Sequence, residues 1–135
     1  MNKSYLFWRY TIAISIIATM MPSTMRALTQ INGVYQISSA QDLIDFASLV
    51  NKGSTNANAI LTTNIDMSGK TYTPIGKKDQ KYSGTFDGNE KSVNNLVISV
   101  LQKNRGIFGY VGSQGIVQKL YLGGSSITEV SHLFF

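Results

Sequence analysis

The stretch Tyr82-Ser83-Gly84-Thr85-Phe86-Asp87-Gly88-Asn89 decides how this chain reads. It sets one aromatic residue among glycines and short polar side chains. Gly106-Ile107-Phe108-Gly109-Tyr110-Val111-Gly112 repeats that design. Each is followed by a short alternating apolar run, Val93 to Ile98 after the first and Ile116 to Leu122 after the second. An apolar knob, a tight turn and a short strand at a near-constant interval describe stacked units, not a sheet flanked by helices.

Aligning Ile65-Asp66, Phe86-Asp87 and Phe108-Gly109 gives steps of 21 and 22 residues, and Leu96-x-Ile98 on Leu120-x-Leu122 gives 24. Ten of the twelve glycines lie between Gly69 and Gly124. Helical periodicity is absent there, so residues 59–124 read as all-β rungs. The fold expected is mostly β: a short right-handed parallel β-helix with an N-terminal hairpin and one capping α-helix. Inward ladders should then run Ile65 on Phe86 on Phe108, with Leu96 and Ile98 under Leu120 and Leu122.

The cap is expected in residues 28–58. Asn32-Gly33 between Leu28–Ile31 and Val34–Ile37 is a two-residue hairpin signal, because both central residues need positive φ. Ser38 to Gly53 reads as a helix. Ser39 is its N-cap, Asp42 sits at the positive end of the dipole, and Gly53 lies just past its end. Leu43, Phe46, Ala47 and Val50 share one face. Covering the open end of a β-stack is the natural role of such a helix.

Residues 1–27 read as an exported leader. Lys3 and Arg9 precede an apolar run of about a dozen residues from Tyr10 to Met21, and Pro22 breaks the pattern. That run is shorter than the roughly 20 residues a spanning helix needs. Ala18 and Ala27 are alternative cleavage points, and an uncleaved anchor is the rival reading. With the leader removed, no stable membrane span is expected and localisation is secreted or cell-surface.

The chain has 135 residues and a formal net charge of +5. Beyond Arg26, nine basic residues face seven acidic ones, a net of +2 that makes no case for nucleic acid. Lys77, Lys78 and Lys81 cluster in one loop and read as solvated charge. No cysteine is present, which excludes disulfides, thiolate metal sites and a Cys nucleophile.

Little in the sequence reads as catalytic. His132, the one histidine, stands in the off-pattern tail with no second histidine or cysteine to build a metal site with. Gly106-x-x-Gly109-x-x-Gly112 precedes a β-prone run and not a helix, so it is no phosphate loop. Asp66 and Asp87 follow equivalent anchors one rung apart. Stacked carboxylates could bind Ca²⁺, or each could accept hydrogen bonds from its own turn. Tyr72, Tyr82, Tyr110 and Tyr121 are the surface-binding candidates, with a glycan or protein as partner; packing at rung corners is the alternative. No cofactor is expected.

The order Tyr35-Gln-Ile-Ser-Ser-Ala-Gln-Asp-Leu-Ile-Asp-Phe-Ala, Val50-Asn-Lys-Gly, Leu61-Thr-Thr-Asn-Ile-Asp-Met-Ser-Gly, Thr73-Pro-Ile-Gly, Tyr82-Ser-Gly-Thr-Phe-Asp-Gly-Asn, Val93-Asn-Asn-Leu and Gly106-Ile-Phe-Gly-Tyr-Val-Gly resembles the GLUG-repeat proteins. These are secreted and surface proteins of bacteria. The resemblance spans residues 34–122 and implies a parallel β-helix with a helical cap and no catalysis. Glu90 departs from it, standing where the family carries glycine. Residues 125–135 fit no further repeat and read as a truncation, which leaves a C-terminal edge open to self-association. The function expected is a non-catalytic exported module of a surface or adhesin-like protein, as an N-terminal fragment. The alternative is the accessory N-terminal region of an extracellular peptidase or carbohydrate-active enzyme.

Overall fold

The structure is a computed structural model that describes residues 27–98, 106–124 and 126–127. The expected leader through Arg26, His132 and most of the C-terminal tail therefore lie outside the described residues. Among those described, the fold is mostly β with one helix. The elements are β1 (Gln30–Ile31), β2 (Val34–Ile37), α1 (Ala40–Asn51), β3 (Asn58–Leu61), β4 (Ile65–Asp66), β5 (Thr85–Asn94), β6 (Val97–Ile98), β7 (Ile116–Gly123) and β8 (Ser126–Ile127).

Local chemistry explains the N-terminal elements. β1 and β2 pair antiparallel, and the turn between them holds Asn32 at φ 51° and Gly33 at φ 78°. Both signs match the mirror-image turn whose twist suits a hairpin. Helix α1 starts where Ser39 Oγ accepts from the Asp42 amide at 3.1 Å. Asp42 reciprocates through Oδ2, which accepts from the Ser38 amide and hydroxyl at 3.0 and 2.9 Å. The expected apolar face, Leu43, Phe46, Ala47 and Val50, is buried.

Beyond the hairpin, every strand pairing is parallel. One mixed six-stranded sheet has the order β1-β2-β3-β5-β4, with β7 on the other side of β5; β6 and β8 form a separate pair. Val34 lies opposite Asn58, Ala59 opposite Phe86, and Phe86 opposite Val117. Ile65 lies opposite Val93, and Val93 opposite Leu122. Isolated parallel bridges join Ile75 to Phe108 and Tyr82 to Val111.

This register corrects the expected ladders. Ile65 faces Val93 and not Phe86, and Ile98 faces Ile127 rather than the β7 leucines. The paired residues stand 24 to 33 positions apart, from Val34–Asn58 to Ile75–Phe108. The shorter interval read from the sequence matched look-alike turns on different segments. Corners of unequal length cause the drift. Between the pairs Asp87–Gln118 and Lys91–Leu120, β5 spends Gly88, Asn89 and Glu90 where β7 has Lys119 alone. The apolar-rich run from Ala59 to Met67 is likewise divided at a corner, into β3 and β4.

The core lies between α1 and these parallel segments, and its centre is aromatic. Phe86 meets Phe46 of α1 at 5.9 Å between centroids and Phe108 at 5.3 Å, the latter edge-to-face. Phe46 also meets Tyr35 and Tyr82. Backbones approach closely around this centre. A Cβ at Gly84 would collide with the Ala57 carbonyl, so only glycine fits there.

Two outcomes follow. Phe86→Ala should lower stability by roughly 3–5 kcal/mol, because Phe86 is fully buried and touches rings on both sides. A chemical-denaturation midpoint equal to the parent's would remove Phe86 from the core. Glu90 holds φ 59°, a left-handed conformation that strains a non-glycine residue. Glu90→Gly should therefore stabilise by about 1 kcal/mol in the same measurement, and a destabilised variant would show that the corner carries no strain.

Candidate functional site

The four tyrosines do not share a surface. Tyr72 and Tyr82 are core residues, and their candidacy as surface contacts is overturned. Each ring is buried because its hydroxyl finds a carbonyl inside the fold: Tyr72 Oη donates to Ile107 O and Tyr82 Oη to Ala57 O, both at 2.8 Å. Burial pushes both phenols above their ordinary range. Tyr110 is half-buried, and Tyr121 is 59% exposed on β7.

Asp66 and Asp87 do not stack. Asp66 lies opposite Asn94, whereas Asp87 lies opposite Ile60 and Gln118. The two carboxylates sit on different segments of their coils, so the paired Ca²⁺ site expected from equal spacing is not assembled. Asp66 Oδ1 accepts from Asn95 Nδ2 at 2.9 Å, from the Ser68 hydroxyl at 2.6 Å and from the Ser68 amide at 3.0 Å. Those bonds, Asn95 first, lower its pKa from 3.8 to about 2. Asp87 accepts from the Asn89 amide at 2.7 Å and from Gln118 Nε2 at 3.0 Å. The Asn89 amide, then Gln118 and the nearby Lys119 charge, hold it below the usual carboxylate range. Both carboxylates thus hold turns and inter-strand contacts. Among the described residues, no three His, Cys, Asp or Glu side chains gather into a metal-binding group.

Two surface features remain. The first is β7, where Ile116, Val117, Tyr121 and Leu122 are all exposed. It is an edge strand, paired to β5 on one side only among the described residues. The second is a pair of neighbouring depressions of about 360 Å³ each, one of them against α1; a further one of about 440 Å³, lined by Tyr35, Asp45, Leu49 and Lys52, also lies against the helix. Of the pair, one lies between the C-terminal half of α1 and Thr71–Thr73; the other lies between residues 73–79 and Tyr110. They meet at Thr73 and Lys77, which line both.

Asn51 builds the ground between them. It is 7% exposed, donates through Nδ2 to Pro74 O at 3.0 Å and accepts from the Gly76 amide at 2.9 Å. It thereby ties residues 74–76 to the end of the helix. The sequence carries no signal that Lys52 and Lys77 line one depression, since Asn51 joins its helix to residues 23 and 25 positions away.

No protein-family model matches the chain, and no solved structure matches it. A similar stretch occurs in a protein of Evansella cellulosilytica described as a Gly-rich membrane protein, 33% identical over 69 residues. The match covers 50% of this chain and 8% of that protein. Among the described residues, no helix is long and apolar enough to cross a membrane.

The Asp66 turn has a pH signature. Its folded pKa is depressed, so its contribution is present above the unfolded value near 3.8 and is lost as pH falls through about 2. Asp66→Asn should therefore shrink the drop in melting temperature between pH 4 and pH 2. An unchanged acid limb in thermal melts would show that the turn bonds do not outlast the unfolded state.

Proposed function

We propose that this chain is an exported, non-catalytic module of a bacterial surface or adhesin-like protein of the GLUG-repeat kind. In this reading the parallel strands are the opening rungs of a right-handed parallel β-helix, with the hairpin and α1 as its N-terminal cap. The observation that carries it is the run of parallel pairings continuing through the corners. Thr62 N donates to Ile37 O, Met67 N to Asn94 O, Ile75 N to Ile107 O and Asn95 N to Gly123 O. Backbone bonds between successive passes of the chain, at turns as well as strands, are what a solenoid requires.

The exposed apolar side of β7 supports a stack that continues. Val117 extends the line Ala59–Phe86, and Leu122 extends Ile65–Val93, yet both are exposed. A further rung, or a second molecule at that edge, would cover them. The partial match to a much longer protein supports a module within a larger chain, and the description of that relative as a membrane protein fits a surface location. The carboxylates' use in turns supports a binding role over a catalytic one. The same match suits a second reading, the accessory N-terminal region of an extracellular peptidase or carbohydrate-active enzyme.

Purified protein should bind saturably to bacterial or epithelial cells or to a printed glycan array. Absence of saturable binding to all three surfaces would sink the reading. A peptidase or glycosidase domain encoded in frame after Phe135 would favour the second one.

A further inference from the structure

We propose that the two neighbouring depressions form a trough that binds a linear acidic polysaccharide through its carboxylates. This rests on the surface-binding reading above and names a ligand class and a place for it. Lys52 lines the end of the trough at α1, Lys77 its middle, and Lys78 the end near Tyr110. All three are exposed. No ion pair engages any of them among the described residues, and the one carboxylate on the walls is that of Asp79. The trough therefore presents spaced positive charges that the fold itself leaves unneutralised.

The rest of the lining points to sugar rather than to nucleic acid or peptide. Ser48, Thr71 and Thr73 offer hydroxyls that both donate and accept, as sugar hydroxyls do. Tyr110 adds an apolar ring with a polar tip, and the half-buried Ile44 gives an apolar contact for a sugar C–H face. No arginine lines it, so no planar fork is set for phosphate; compact ammonium charges suit single carboxylates. The two depressions share Thr73 and Lys77 in their linings, and an extended chain laid across those residues would reach both.

The site is also held in shape. Lys77 N donates to Gln80 O and Gln80 N to Lys77 O, at 3.0 and 3.1 Å, closing the turn that carries Lys78 and Asp79. The Asn51 clamp fixes the opposite wall. Walls ordered before binding reduce the entropy lost on association.

The test is calorimetric titration of the full chain with polygalacturonate, with dextran as the neutral polymer and polyphosphate as the phosphate polymer. Polygalacturonate should bind, and binding should weaken about tenfold as salt rises from about 0.05 to about 0.3 M. The double variant Lys52→Gln/Lys77→Gln should bind about tenfold more weakly with an unchanged melting temperature. Lys70→Gln, outside the trough, should bind as the parent does. The proposal is overturned by no binding of polygalacturonate, by equal binding of dextran, by tighter binding of polyphosphate, or by a Lys70→Gln loss as large as the double variant's. Cell binding unaffected by the double variant would sink the trough and leave the surface-module reading standing. Lysine-dependent polygalacturonate binding without cell binding would do the reverse.

Discussion

The contact of Phe46 with Phe86 holds this fold together. Phe46 is carried by the helix and Phe86 by the longest strand, and their rings meet at 5.9 Å. Through Phe46 the helix also reaches Tyr35 of β2 and Tyr82, and through Phe86 the cluster extends to Phe108. A stack of parallel strands exposes apolar side chains at each end unless something covers them. Helix α1 packs on β2, and Ile37 and Leu61 are fully buried in the core it shares with the strands. At β7 no described element plays that part. Val117 and Leu122, the next members of two buried lines, are 40% and 55% exposed.

That asymmetry separates scaffold from surface. Residue types that usually carry chemistry are largely spent on architecture here. Asp66 and Asp87 fasten turns, Tyr72 and Tyr82 fill the core, and Asn51 clamps a loop to a helix. Among the described residues, two groups facing solvent stand out: apolar side chains along β7, and lysines lining the depressions near α1. The first suits more of the same protein, or another copy of it. The second suits a charged, hydroxyl-rich polymer.

Glu90 shows how far a resemblance can be carried. A glycine is expected at its position, and the backbone there does adopt the left-handed geometry that glycine tolerates, with φ 59°. The corner keeps its shape despite the substitution, because the pairs on either side, Asp87–Gln118 and Lys91–Leu120, hold it in place. The surrounding register overrides the local preference of one residue.

Features set within a few residues were legible in the sequence. The Asn32-Gly33 hairpin, the Ser39 cap, the buried face of α1 and the mostly β character beyond it follow from dihedral preferences and side-chain periodicity, which neighbours alone determine. Register was not legible. Phe86 and Phe108 look equivalent in sequence, yet their strand partners are Ala59 and Val117 for one and Ile75 for the other, although the two rings touch. The exposure of the tyrosines was equally hidden, since a distant carbonyl decides whether a hydroxyl can be buried. That Lys52 and Lys77 line one depression was hidden too, because it follows from long-range bonds such as those of Asn51 to Pro74 and Gly76. The sequence alone determined the kinds of element, and the bounds of the hairpin turn and of the helix. Tertiary structure decided which residues face each other, because pairing across 24 to 33 positions depends on the lengths of every corner between them.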